Sequence, residues 1–251
     1  MHPVEPLTVR VVGFGMGPDQ LTPEAVAALR RSDYVVAAQK SADDPLLAVR
    51  HEIAHAHGLE IVPVADPERD RSEHPTHAAY ERAVQDWHAA RVRAYADVLR
   101  ERGGSPAFLV WGDPALYDST IRIVRQVAES VPLRLEVVPG ISAPQLLAAR
   151  HAIVLHEIGQ PLHVTTARAM HADIAAGQRN LCVMLSARLD LTGLEDWSIW
   201  WGANLGTAHE QLVHGPVGEV TDAIAKARER ARQSAGWVMD TCLLRAPGGT
   251  S

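Results

Sequence analysis

Short apolar runs alternate with longer amphipathic ones along the chain, which predicts strands followed by helices. In the first half, Thr8–Val12, Tyr34–Ala38, Glu60–Val64, Phe108–Trp111 and Leu133–Val138 read as strands. Helical spacing predicts helices from Pro23, over Pro45–His57, over Ala78–Arg102, from Ile121 and after Ser142. Thr22 suits an N-cap with Pro23 at the first helical position, and Leu21 and Val26 sit as a hydrophobic staple. Gly58 and Gly103-Gly104 read as helix stops, and residues 65–77 as a polar loop. The long helix carries the stripe Tyr80, Val84, Trp87, Val92, Tyr95 and Leu99. In the second half, Leu162–Thr166, Leu181–Leu185, Ser198–Ala203, Gln211–Val213 and Trp237–Leu244 read as strands. Helices are expected near Arg168–Ala176 and over Glu219–Gln233, and residues 247–251 as a disordered tail. This alternation argues α/β in both halves. The boundary is expected around Ala149–Gly159, giving domains of residues 1–148 and 149–251.

The stretch FLVWGDPALYDST, residues 108–120, carries the strongest local signal. A short apolar run bounded by Gly-Asp-Pro suits a buried strand. Gly112 lets the backbone approach a neighbour closely, and Pro114 blocks regular continuation. Asp118, Ser119 and Thr120 offer caps for the following helix. In an open α/β sheet, ligands bind at such carboxyl ends of strands. Gly-containing turns also follow the first and fifth strands, at Gly13–Pro18 and Pro139–Ser142. The loops after residues 12, 111 and 138 are therefore expected on one rim.

Composition narrows the class. A chain of 251 residues, 47 % hydrophobic, allows one large domain or two ordinary ones with a sizeable core. No apolar run approaches the roughly 18 residues of a membrane span. The start, MHPVEPLTVR, lacks the basic and apolar regions of a secretory signal, so a cytoplasmic location is expected. Cys182 and Cys242 lie in apolar strand-like runs and read as buried free thiols in a reducing compartment. The formal charge is −6 and no Lys/Arg block stands out, so neither nucleic acid nor a membrane surface is an expected partner. An anionic substrate then needs a local basic cluster.

Two motifs invite chemistry and are read here as coincidences. Gly13 and Gly15 fit a dinucleotide loop, but Pro18 occupies the third glycine position. Gln39 and Lys40 stand where an acidic residue would face a ribose, leaving only a remote NADP reading through Lys40. His51-Glu52-Ile53-Ala54-His55 matches H-E-x-x-H, yet Ile61 occupies the position of a third histidine ligand. The stripe Leu46, Val49, Ile53 and Ala56 leaves His51 and His55 on the opposite, solvent-facing side, so no metal is expected. His156, His163, His209 and His214 are scattered, and Arg150, Arg168 and Arg188 lie near strand ends or the boundary. A zinc peptidase and a noncatalytic binding module remain the readings from other classes.

Three stretches together, VVGFGMGPDQLT at 11–22, WGDPALYDS at 111–119 and EVVPGISA at 136–143, resemble the tetrapyrrole methylase family, the class III S-adenosylmethionine methyltransferases. DWHAARVRAY at 86–95, IWWGANLGT at 199–207 and WVMDTCLLR at 237–245 extend the resemblance. It implies two α/β domains with a trough between them, usually a homodimer, with S-adenosylmethionine folded in the trough. It places cofactor contacts on Gly112, Asp113, Leu116, Ser142 and Ala143. Met16 stands where relatives often carry proline in the first loop. Met184, Leu185, Thr207 and Ala208 match the remaining contacts. The implied chemistry is displacement at a sulfonium methyl by a carbon of a precorrin, methylated at C-1 with loss of acetate. Such a transfer needs alignment and desolvation more than a strong base. Tyr117 and His151 are the candidates to handle the water that acetyl removal requires. Arg150, Arg168 and Arg188 are the candidates for the substrate's carboxylates, since guanidinium forks match them bidentately.

Overall fold

The computed structural model describes residues 6–39, 45–67, 77–186 and 188–248, with the side chains of 45, 77–81, 83 and 84 set aside. Lys40, the side chains of Tyr80 and Val84, and residues 249–251 lie outside the described residues. The chain divides into two compact units, Met1–Ile141 and Ser142–Ser251.

The first unit holds strands β1 (Leu7–Gly13), β2 (Tyr34–Gln39), β3 (Glu60–Ala65), β4 (Pro106–Val110) and β5 (Leu133–Val138). Its helices are α1 (Pro23–Arg30), α2 (Pro45–Ala56), α3 (His77–Arg102) and α4 (Thr120–Val127). The sheet is parallel throughout, in the order β3-β2-β4-β1-β5. Each face carries its own core. Val9, Val11, Phe108 and Val110 pack with Tyr95, Leu99, Ile123 and Val124 on one side. Val12, Val35 and Leu109 pack with Ala25, Leu29 and Ile53 on the other. Strands buried on both faces read as continuous apolar runs, which is why β4 was legible.

Local signals explain several element ends. The Thr22 hydroxyl accepts the Ala25 N–H at 3.1 Å, starting α1 as its sequence predicts. At α4 the bonding cap is Asp118, whose Oδ1 accepts the Thr120 N–H at 2.7 Å. In α2 the buried line runs through Leu47, Ile53 and Ala54, with Arg50 half-buried on the same side. Of the expected stripe, Ile53 is buried and Val49 packs against the same core, while Ala56 is exposed. β2 and β4 pair at Tyr34↔Pro106 and Val35↔Ala107. Beyond that point the Leu109 carbonyl accepts the Arg50 Nε–H at 2.9 Å instead of a strand N–H. His51 and His55 are exposed, as expected. Among the described residues no group of three or more His, Cys, Asp or Glu is placed to hold a metal ion.

The second unit contains α5 (Ala143–His151), β6 (His163–Thr166), α6 (Met170–Ala175), β7 (Asn180–Met184), β8 (Ser198–Ala203), β9 (Gln211–Pro216), α7 (Val217–Ala235) and β10 (Asp240–Arg245). The sheet order is β6-β7-β10-β8-β9. Only β6 and β7 are parallel; β10 runs antiparallel to both its neighbours, and β9 to β8. The alternation expected here thus gives a mixed sheet. Only residues 204–210 separate β8 from β9, too few for the crossover that parallel neighbours need. The division also falls ahead of α5 rather than after residue 148, because α5 packs on β8 and β10. Cys182 and Cys242 are buried and free, and burial pushes the Cys182 thiol up to about 11.

Candidate active site

In the first unit, β1 leads through α1 to β2, on one side of it in the sheet order. Its neighbour β4 leads through α4 to β5, on the other side. The chain thus diverges between β1 and β4, and open α/β sheets place ligand crevices outside the strand ends at such a point. The two loops are joined there. The Gly112 N–H donates to the Gly15 carbonyl at 2.7 Å, and the Gly15 N–H donates to the Gly112 carbonyl at 3.3 Å. Both glycines have positive φ, 71° at Gly15 and 70° at Gly112, which a side chain would strain. The loop after β5 closes on the same point. A Cβ on Gly140 would lie 2.2 Å from the Gly112 carbonyl oxygen, and one on Gly13 would lie 2.7 Å from the Gly140 nitrogen. The three Gly-containing turns therefore meet on one rim, as the sequence led us to expect.

Asp113 ties this rim together. Its Oδ2 accepts the Gly140 N–H at 3.0 Å, its Oδ1 the Ala115 N–H at 2.8 Å, and its carbonyl the Leu116 N–H at 3.2 Å. The conspicuous acidic residue of the central motif is thus a strut of the turn. Leu116 is half-buried beside it, and Tyr117 follows at φ 51° with 43 % of its surface exposed. Met16 is buried, so its side chain serves the core.

In the second unit, Ser142 starts α5, and Gln145 Oε1 accepts both its N–H at 2.9 Å and its hydroxyl at 2.8 Å. That commits the Ser142 side chain to the cap, with Ala143 half-buried next to it. At the far end of α5, Arg150 Nε donates to both Glu210 oxygens, at 3.0 and 3.1 Å. Glu210 Oε2 also accepts the Gly206 N–H at 2.7 Å. Arg150, expected in a substrate-binding rim, braces the loop after β8 through Nε. His151 Nε2 lies 3.1 Å from the Trp201 carbonyl, which only accepts, so this nitrogen carries the hydrogen and Nδ1 is left as an acceptor when the ring is neutral. Burial holds the imidazole below its ordinary value; the Trp201 carbonyl opposes this, the His214 ring 5.5 Å away reinforces it, and Glu210 opposes it.

The two loops matched to cofactor contacts both have a non-glycine residue at positive φ. Leu185 has φ 55° and is 62 % exposed at the end of β7. Asn204 has φ 49° and is fully buried. Its N–H and Nδ2 donate to the Met239 and Trp237 carbonyls at 2.8 and 3.1 Å, and its Oδ1 accepts the Met239 N–H at 2.9 Å. This grip also keeps residues 237–239 out of β10, which begins at Asp240 and not at Trp237. The Thr207 hydroxyl donates to the Asn204 carbonyl at 2.8 Å, and Ala208 is exposed beyond it. Arg168 and Arg188 are exposed in the loops after β6 and β7, parallel neighbours whose loops leave the same sheet edge. Sequence reasoning missed Asn204 and Glu210. Asparagine tolerates this backbone region, but its clamp bridges 35 residues and has no local spacing.

Comparison with known proteins follows the same lines. The profile of the family described as Tetrapyrrole (Corrin/Porphyrin) Methylases matches residues 8–221. A precorrin-6A synthase [deacetylating] from Sinorhizobium sp. is 39 % identical over 250 residues, covering 94 % of each chain. The crystal structure of a putative cobalamin synthesis related protein (CobF) from Corynebacterium diphtheriae is 38 % identical with a TM-score of 0.80, covering 96 % of this chain and 98 % of that one. A uroporphyrin-III C-methyl transferase from Thermus thermophilus, solved with S-adenosyl homocysteine, shares the fold. It is 20 % identical, with a TM-score of 0.58 over 95 % of this chain and 97 % of that one.

Two outcomes are expected from this geometry. Gly140→Ala should destabilise the first unit by about 3 kcal/mol, since the backbone of Gly112 has no side-chain freedom to give way. Chemical denaturation followed by tryptophan fluorescence measures this, and a loss under about 1 kcal/mol would show that the loops separate easily. For His151, the folded state binds fewer protons than the unfolded one, so its effect on stability worsens as pH falls below the ordinary 6.5. Acidification from about pH 8 to about pH 5.5 should lower the melting temperature more in wild type than in His151→Asn. Equal slopes would remove His151 from the titration.

Proposed function

Because this chain belongs to the tetrapyrrole (corrin/porphyrin) methylase family, we propose that it is an S-adenosylmethionine-dependent C-methyltransferase of cobalamin biosynthesis. Its reaction is the conversion of precorrin-5 to precorrin-6A, with methylation at C-1 and release of acetate. The end-to-end likeness to an enzyme of that name carries this reading. The rim geometry agrees with it. A neutral adenosine and a zwitterionic amino acid need close backbone approach rather than a phosphate loop, and Gly112 and Gly140 leave two turns of this rim without side chains.

The residues proposed to hold the cofactor are Gly112, Asp113 and Leu116 in the first unit, with Met16 through its backbone. In the second unit they are Ser142, Ala143, Met184, Leu185, Thr207 and Ala208. S-adenosylmethionine supplies an electrophilic methyl group when bound. The chain's task is to align an electron-rich carbon with that methyl and to keep the approach dry. Acetyl removal consumes one water, whose proton goes to a side chain that accepts it. His151 is proposed for that role, through Nδ1, because Nε2 is fixed on the Trp201 carbonyl and burial favours the neutral ring. Tyr117 is the other candidate, exposed on the first rim. Arg168 and Arg188 are proposed to meet substrate carboxylates, with Arg150 acting through Glu210 instead.

The chain is further proposed to act as a cytoplasmic homodimer. Among the described residues no helix is long and apolar enough to cross a membrane. After α5, Val154 is 64 % exposed and Ile158 fully exposed, side chains that contact with a second copy would cover. Light scattering on Ile158→Asp against wild type should show a monomer and a dimer respectively; a wild-type monomer refutes the assignment. For the reaction, incubation with S-adenosylmethionine and precorrin-5 should release S-adenosylhomocysteine and acetate in equal amounts. Methylated product without acetate would move the chain to another precorrin or uroporphyrinogen C-methyltransferase of the family. Neither product, with cofactor still bound, would make it a noncatalytic module.

A further inference from the structure

In the second unit a buried carboxylate, Asp240, pairs with the half-buried Arg228, which also bonds the residue after Leu185. Asp240, 8 % exposed, is the first residue of β10. Its Oδ2 pairs with Arg228 NH1 from α7 and accepts the Trp201 Nε1–H at 3.2 Å. The same Arg228 nitrogen donates to the Ser186 carbonyl at 2.8 Å. Ser186 is 3 % exposed, and among the described residues its own hydroxyl has no hydrogen-bond partner. Its carbonyl bond to Arg228 therefore anchors the turn that holds Leu185 at positive φ. A charged donor makes a stronger hydrogen bond to this carbonyl than a neutral one, and Asp240 supplies its counter-ion.

We propose that Arg228 is a positioning residue: charge-paired with Asp240, it clamps the Ser186 carbonyl and so sets the exposed Leu185 backbone in the conformation that receives the cofactor. The assignment rests on the reading of Met184 and Leu185 as cofactor contacts. Asp240 also joins this clamp to the neighbouring loop. Met239, one residue before it, is the partner of Asn204, which holds Thr207. The two loops thus flank one anchored segment, residues 237–240. Burial holds the Asp240 carboxyl above its ordinary value, outweighing Arg228 and Trp201, which draw it down.

The test must separate positioning from mere stability. Arg228→Met alone leaves Asp240 buried without its cation and risks misfolding. The double variant Arg228→Met/Asp240→Asn removes both charges, Arg228→Lys keeps a cationic donor, and Arg232→Gln removes an exposed cation from the same helix as a control. Hydrogen exchange without any ligand reads the clamp directly. In the double variant, amides of residues 184–186 should exchange at least about tenfold faster, while Ile199–Gly202 in β8 stay protected. Calorimetry with S-adenosylmethionine should show binding about tenfold weaker in the double variant, within about threefold of wild type in Arg228→Lys, and unchanged in Arg232→Gln. A double variant with unchanged loop exchange or wild-type affinity overturns the clamp. Loss of protection in β8 together with the loop also overturns it, since the pair would then be holding the whole sheet. Wild-type protein that takes up no S-adenosylmethionine overturns the cofactor reading and the proposal with it, and is distinguished because it fails before any substitution.

Discussion

The first unit depends on one contact between bare backbones. Gly140 lies against the Gly112 carbonyl so closely that a methyl group would overlap it, and Gly13 completes the crowding from β1. Parallel strands end at the same edge of a sheet, but nothing in parallel pairing makes their outgoing loops touch. Here the contact fixes the heights of three loops relative to one another, and the paired hydrogen bonds of Gly15 and Gly112 lock two of them in register. Asp113 then satisfies amides that such crowding would otherwise leave without partners.

The second unit reaches a comparable end differently. Its loops carry Leu185 and Asn204 at positive φ, which leucine adopts with strain and asparagine more readily, and each loop has an outside grip. That grip comes from side chains distant in sequence: Arg228 for one loop, and the carboxamide of Asn204 on residues 237–239 for the other. One unit relies on omitted side chains, the other on buried polar ones. Omission is tolerant of its surroundings, whereas a buried polar grip works only while every partner stays in place.

This difference governs what could be read from the sequence. Strands, helices and glycine turns were legible because their causes are local: apolar runs, Thr22 with Pro23, and glycines directly after strands. The rim itself was foreseeable because its glycines announce close approach. The mixed sheet of the second unit was not, since strand direction depends on connection length and on where β10 inserts. Arg50 illustrates the same limit. By helical spacing it sits beside an apolar stripe, but the gap between β2 and β4 that draws it inward is a property of the whole sheet. Arg150 has the composition of a substrate-binding cation, and only the fold shows that it pairs with Glu210, 60 residues away.

The place of β10 has a consequence for how the chain matures. All five strands of the first sheet have been synthesised by Val138, so that unit can fold while the rest is still being made. The second sheet has no such order. Its middle strand, Asp240–Arg245, follows all the others, and β7 and β8 each pair with it and not with one another. Until then each presents an open apolar edge, the kind of surface that pairs with whatever strand is nearby. A nascent chain is therefore most vulnerable to aggregation, and most in need of a chaperone, between the emergence of Ala203 and that of Arg245.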